Sequence, residues 1–445
     1  MANQPCTTIT PLIRQAKLLI PRLATMKTPN QALMITFDFS QRGKTGTGLA
    51  AASLISACHV HKDYGTKFVI DHLPIKMPAT HEKKLKPEEV INEIEKTVPM
   101  AKIDRLVLAC YVWSSHLIEP IITLSKLNGF TGKVILGGYQ IFHETCKDLY
   151  PSADYYITGY AEQALPAAII DDTIISSIIL DKPMGKESDF ESLPSPYLSG
   201  TYPLEQNQKM VHWETHRGCI FKCNFCVHRD LQTGSVFDLN QSRIEQELRL
   251  FKLKNIKKIN VLDPVFNRGS NHASTLKTAI EIGIKSLLSL QVRFEMINEE
   301  FLYLCSKLNV HLEFGLQTAI KEEYVTIERP NNLTEVSKSI SLLKKWNLSF
   351  EVSLIYGLPK QTVRSFKESI QFLQSQGVTD IKAFPLMLLE GTDLKKNKEQ
   401  FGLKEGFIDD SQIPHVIESS TFTNDQWKIM HLIAKNLQKH EKVAA

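Results

Sequence analysis

Short apolar runs alternate with longer amphipathic stretches along most of the chain. The runs Ala32–Phe37, Lys67–Asp71, Arg105–Ala109, Lys133–Leu136 and Tyr155–Thr158 predict strands. Thr47–Cys58, rich in small residues, Pro87–Lys96 and Leu117–Leu127 predict the helices between them. Pro87 and the two acids after it are what a helix N-terminus favours. Strands that alternate with helices imply a parallel sheet covered on both faces. Ligands of such sheets lie beyond the carboxyl ends of the strands.

The same rhythm returns from residue 209. Val211–Thr215, Lys258–Leu262, Ser289–Val292, His311–Phe314, Phe350–Ile355 and Ile381–Phe384 predict six more strands, with helices such as Ser242–Phe251 and Thr334–Trp346 between them. Six units fit a partial barrel better than a flat sheet, although the pattern alone allows either. Pro183, Pro194, Pro196 and Pro203 crowd the segment between the halves and forbid a long helix there. Asn424–Gln438 predicts one amphipathic helix. The expected division is a lead-in (1–29), a first α/β domain (30–175), a proline-rich linker (176–208), a second α/β domain (209–395) and a helical end (396–445).

Composition adds mostly exclusions. A chain of 445 residues suggests two or three domains, and 43% hydrophobic residues can build sizeable cores. The net charge of +4 argues for neither nucleic acid nor an anionic membrane as partner. No apolar run has the length of a membrane span, and the first residues lack the apolar core of a signal peptide, so a cytoplasmic location is expected. His59, His61, His72 and His81 form no helical pair and read as surface histidines, while Cys305 reads as core.

The strongest chemical signal is Cys219-Ile-Phe-Lys-Cys223-Asn-Phe-Cys226, on a loop just after a predicted strand. Five of the eight cysteines are scattered, and these three are packed together, which points to a metal rather than to disulfides. Iron–sulfur clusters are normally tied by four thiolates, so three leave one iron open to a reactant. The competing reading is structural zinc with His216 or His228 as the fourth ligand; the spacing matches it poorly and no second knuckle exists.

The triplet, with Phe225 before its last cysteine and the lead-in Trp213-Glu-Thr-His-Arg-Gly218, resembles the signature of the radical S-adenosylmethionine (SAM) superfamily. The resemblance implies a [4Fe-4S] cluster on Cys219, Cys223 and Cys226 whose open iron chelates SAM. Reductive cleavage there gives a 5'-deoxyadenosyl radical that abstracts hydrogen from a substrate. It further implies an electron donor such as a flavodoxin or ferredoxin, and a small-molecule or peptide substrate that the sequence does not identify. Val261-Leu-Asp-Pro-Val-Phe-Asn267 resembles the segment that contacts the SAM amino group, which makes Asp263 a candidate. His311-Leu-Glu-Phe-Gly-Leu-Gln317 resembles the strand that reaches the ribose, with Glu313 and Gln317 as candidates. Arg329 stands where the family often carries an arginine for the SAM carboxylate, and Glu351 opens a strand like the one that helps seat adenosine.

The first half resembles the cobalamin (B12)-binding Rossmann-like domain that precedes the partial (β/α)6 barrel in one radical SAM branch. The residues that carry this are Thr47–Ser53, Leu108–Trp113, Ile135–Gly138, Asp154–Glu162 and the linker-like Leu193–Tyr197. Gly137 and Gly138 would let backbone approach a corrin, and Tyr111 and Trp113 could stack on it; a tight turn and core aromatics are the plainer readings. Asp38-Phe-Ser-Gln-Arg-Gly43 has the spacing of the cobalt-ligand motif DxHxxG, with Ser40 where the histidine would be, and a hydroxyl is a poor cobalt ligand. The implied chemistry is cobalamin-dependent methyl transfer to carbon. A radical rearrangement, cyclisation or elimination with a vestigial first domain stays open, as does a zinc-stabilised nucleotide-binding protein.

Overall fold

The computed structural model describes residues 28–39, 48–78, 84–172, 178–180, 187–228, 235–408 and 413–439. Ser40 and the rest of the DxHxxG-like segment after Phe39, and His81, lie outside these residues.

Six parallel strands form the first sheet: β1 (Asn30–Phe39), β2 (Phe68–Met77), β3 (Arg105–Ala109), β4 (Lys133–Gly137), β5 (Tyr155–Ile157) and β6 (Ile178–Leu180). Their order is β2-β1-β3-β4-β5-β6, so the winding direction reverses between β1 and β3. In sheets of this kind ligands bind outside the carboxyl ends of the strands at such a reversal. Strand parity explains the burial of both faces. Leu33, Ile35, Phe37, Leu106, Leu108, Val134 and Leu136 join one core, and Ala32, Met34, Val107, Ile135 and Tyr155 the other. Strand β6 falls inside the segment expected as linker. The prolines there exclude a long helix, and a three-residue edge strand is compatible with them.

The second sheet is also six-stranded and all parallel. Its strands are β7 (Met210–Trp213), β10 (Lys258–Val261), β11 (Leu287–Val292), β12 (Val310–Gln317), β13 (Ser349–Tyr356) and β14 (Ile381–Pro385). Between β7 and β10 lies the small antiparallel pair β8 (His216–Arg217) and β9 (Phe237–Asp238), and a hairpin β15 (Lys404–Phe407) with β16 (Pro414–Glu418) follows β14. Each strand of the large sheet neighbours the next one in the chain, the order of a (β/α)6 partial barrel. Burial alternates strictly along β12: Val310, Leu312, Phe314 and Leu316 are buried, and His311, Glu313, Gly315 and Gln317 are less so. These four share the concave face. The helix Asn424–Lys439 packs on β14, the edge strand. Among the described residues, no helix is long and apolar enough to cross a membrane.

The two sheets are joined by contacts of several kinds. The helix Leu49–His59 puts Leu49 and Ala52 into the barrel core and Ala51, Ile55 and Cys58 against the first sheet. Its small residues allow this double approach. The connecting segment is pinned by Glu247, which is fully buried and accepts from Ser195 Oγ (2.5 Å), Trp213 Nε1 (2.7 Å) and Arg243 Nε (2.9 Å). Replacing Glu247 with alanine strands the Arg243 cation and orphans an indole N–H. A loss of about 3–5 kcal/mol in urea unfolding is expected.

Of the described histidines expected at the surface, His59 is exposed and His61 and His72 are half-buried. His72, on β2, is half-buried, and its Nε2 is 2.9 Å from Thr36 Oγ1 on β1. Burial pushes its pKa down to about 4. An unfolded histidine titrates near 6.5. The folded state therefore resists a proton that the unfolded chain accepts. This part of the stability is intact above about pH 6.5 and drains away as the pH falls towards 4. His72→Gln is expected to flatten the fall of unfolding free energy across that window.

Candidate functional site

The cysteine loop leaves the barrel at the carboxyl ends of its strands, where active sites of such barrels are built. Cys219 and Cys223 are buried and Cys226 is half-buried. Asn224, between the last two, fixes the loop. Its N–H donates to the Ile327 carbonyl (3.2 Å), its Nδ2 to the Thr326 carbonyl (2.8 Å), and its own carbonyl accepts from Leu394 (3.0 Å).

Two guanidiniums flank the thiols. Arg329 Nη1 lies 3.4 Å from Cys223 Sγ, and its Nη2 donates to the Gly315 carbonyl. Arg293, just past β11, covers the Phe221 ring at 4.0 Å and holds both oxygens of Glu295 at 2.8 and 3.0 Å. Burial, then the charge of Arg293, lowers the pKa of Arg329. Burial also pushes the Cys226 thiol up to about 11 and raises that of Cys219, which Arg293 and Arg329 pull back down. Arg293 Nη1 and Arg329 Nε are buried and meet no partner among the described residues. Two adjacent cations with spare N–H groups beside three thiols make a place for an anionic, thiolate-ligated group. The donor set thus fits an iron–sulfur cluster and a carboxylate beside it.

A single zinc ion fits poorly. With Zn–S bonds of about 2.3 Å, tetrahedral sulfurs stand about 3.8 Å apart. Among the described residues, the one group with all its ligand atoms within 4.8 Å is His311, Glu351 and Asp380, and the cysteines do not form such a group. In that group Glu351 Oε2 is already engaged by Lys382 at 2.5 Å and His311 at 3.0 Å. His216, the zinc reading's other ligand, holds Nδ1 3.2 Å from Asp263.

Asp263 follows β10 and is wholly buried. Its Oδ1 accepts from the N–H groups of Thr215 (2.8 Å) and His216 (3.3 Å), and its Oδ2 from Thr215 Oγ1 (2.5 Å). All of its capacity goes into the lead-in to Cys219. Glu313, on the concave face, accepts from Ser289 Oγ of β11. Gln317 ends β12 at φ +70°, with a register shift between it and Gly315. Left-handed backbone at a glutamine is costly and clusters at functional sites. A β-carbon at Gly315 would displace the Gln317 amide and crowd the Arg329 guanidinium.

On the first sheet, Tyr111 and Trp113 follow β3 at the switch point. Their rings stack at 4.8 Å and 15°, and Trp113 Nε1 donates to the Phe37 carbonyl at the end of β1 (2.8 Å). Asp38 lies nearby, its pKa raised by burial, and Tyr111 is pushed up to about 12 by burial and then by Asp38. Gly137 ends β4. Gly138 has φ +109°, and a β-carbon there would sit 2.5 Å from the Cys110 carbonyl oxygen. That glycine brings two backbones together at the carboxyl edge.

Sequence reasoning missed Arg293 and Asn224 as parts of the site. An arginine just past a barrel strand was the available signal for the first; the second carries none.

Residues 213–373 match the model of the Radical SAM superfamily. Over 339 residues the chain is 23% identical to the cobalamin-dependent radical SAM methyltransferase TokK of Streptomyces tokunonensis, covering 68% of this chain and 50% of TokK. The chain spans about half the length of the curated relatives it matches, 50% and 55% for the first two. Among solved structures, the radical SAM methyltransferase TsrM of Kitasatospora setae superposes with TM-score 0.62 at 13% identity, covering 85% of this chain and 79% of TsrM. The cobalamin-dependent SAM radical enzyme OxsB superposes with TM-score 0.63 at 14% identity, covering 92% of this chain and 66% of OxsB. At such identities the structural likeness speaks of the fold: a sheet domain followed by a partial barrel.

Proposed function

We propose that the chain is a radical SAM enzyme, as the match of residues 213–373 to that superfamily supports, which binds a [4Fe-4S] cluster through Cys219, Cys223 and Cys226 and cleaves SAM there. With cobalamin held at the carboxyl edge of the first sheet, it transfers a methyl group to a carbon of an organic substrate. The observation that carries the reading is the pair of buried, under-bonded guanidiniums beside three thiols. Such an arrangement is unfavourable until an anion joins it.

When bound, the cluster supplies an iron without a protein ligand for SAM and the electron that breaks its carbon–sulfur bond. The chain does the rest by placement. Arg329 and Arg293 offset the negative charge of the thiolates and of a carboxylate beside them. Asp263 acts through Thr215 and His216, holding the strand that delivers Cys219. Glu313 and Gln317 offer a carboxylate and an amide to ribose hydroxyls. Tyr111, Trp113, Gly137 and Gly138 bound the crevice for the corrin, a reading that the names of TokK and OxsB support. A one-electron donor of the flavodoxin or ferredoxin kind supplies the reductant.

The test is anaerobic incubation with SAM, hydroxocobalamin and a strong reductant. Release of both 5'-deoxyadenosine and S-adenosylhomocysteine, from a brown protein with about four irons per chain, is the expected result. 5'-Deoxyadenosine alone would move the assignment to a rearrangement. A colourless zinc protein that leaves SAM intact would overturn it.

A further inference from the structure

Arg217 stands two residues before Cys219 and is bound by two carboxylates from different parts of the chain. Its Nε and Nη2 hold both oxygens of Glu214 at 2.9 and 2.7 Å, within the lead-in itself. Its Nη1 reaches Glu162 Oε1 at 2.5 Å, on the loop that follows β5 of the first sheet. The ring of Tyr160, from that same loop, lies 5.5 Å from the guanidinium carbon. Glu162 is buried at 7% exposure, and the side chains of Arg217 and Glu214 at 13% and 14%. A bidentate pair plus a second carboxylate, shielded from water, fixes a guanidinium far better than a surface pair does.

The far end of the cysteine loop is touched as well. Tyr139, directly after Gly138 and β4, meets His228 edge-on at 5.7 Å, two residues past Cys226. Both ends of the loop therefore rest on carboxyl-edge loops of the first sheet, the edge that carries Tyr111, Trp113 and Gly138. Arg217 thus links that edge to the segment that leads into Cys219.

We propose that Glu162 is a positioning residue: through Arg217 it ties the cysteine loop to the carboxyl edge of the first sheet, so that filling one site changes the affinity of the other. This rests on the functional reading above for the identity of the two occupants, cobalamin and SAM. Such coupling is reciprocal and of the order of tenfold.

The test measures the dissociation constant of SAM on the anaerobically reconstituted protein with and without saturating hydroxocobalamin. In the wild type, hydroxocobalamin changes it about tenfold and shifts the electron paramagnetic resonance spectrum of the reduced, SAM-bound cluster. In Glu162→Gln both molecules still bind, but the factor falls to near one and the spectral shift disappears. Arg217→Lys, which keeps the charge and loses the fork, reduces both. Hydrogen exchange of the protein without cofactors gives an independent readout: Glu162→Gln raises exchange in both 158–163 and 214–228. A wild type that binds both molecules without a cross-effect overturns the proposal, as does a variant that keeps the full factor or loosens 158–163 alone. A wild type that binds no SAM sinks the functional reading instead.

Discussion

Replacing Cys223 with alanine is expected to abolish iron loading and SAM cleavage while the chain still folds. Iron falls from about four per chain to near zero, because two thiolates do not hold a cubane. The fold survives because the loop is not held by its sulfurs. Asn224 binds it to the carbonyls of Thr326 and Ile327 and accepts from Leu394, and none of these bonds involves Cys223. The lost atom is a single sulfur on a short loop, with no core side chain removed. Iron analysis and circular dichroism on the same sample check both halves. A variant that still loads iron and cleaves SAM would break the assignment.

Arg329→Met has effects of opposite sign in the two states. Without ligands the guanidinium is a burden: it is buried, its charge is opposed by Arg293, and its Nε lacks a partner among the described residues. Methionine of similar length removes that cost. The thermal midpoint of the metal-free protein should hold or rise. With ligands the same change leaves a carboxylate and thiolates short of a cation. SAM binding is expected to weaken by about 2–5 kcal/mol, roughly 30-fold or more. The cluster's reduction potential should become more negative, since a nearby positive charge has gone. Equal destabilisation of both states would mean that Arg329 is merely structural.

The fold was largely legible because strands of the first sheet, buried on both faces, leave continuous apolar runs, while those of the second alternate in burial, and all eleven expected strands are present. Strand β6 was not: three residues among prolines give no periodicity. The hairpin of β15 and β16 was equally silent, its half-exposed residues showing no alternation. The thiols were legible because their chemistry depends on spacing along one loop. Their supports were not. Asn224 works through backbone atoms, and Arg293 and Arg329 meet only when β11 and β12 bring their loops together. Asp263 shows the limit in another way. The resemblance of Val261–Asn267 made it a candidate for the SAM amino group, and its depth and its bonds to Thr215 and His216, which only packing reveals, also tie it to the cysteine lead-in.

The central claim is that the three thiols carry an iron cube with one corner open to SAM. Electron paramagnetic resonance of the anaerobically reduced protein, before and after SAM is added, tests it most directly. The account predicts a [4Fe-4S] signal whose g values shift on addition of SAM and stay unshifted with S-adenosylmethionine replaced by adenosine. A cluster signal indifferent to SAM, or no cluster signal from fully reconstituted protein, would contradict it.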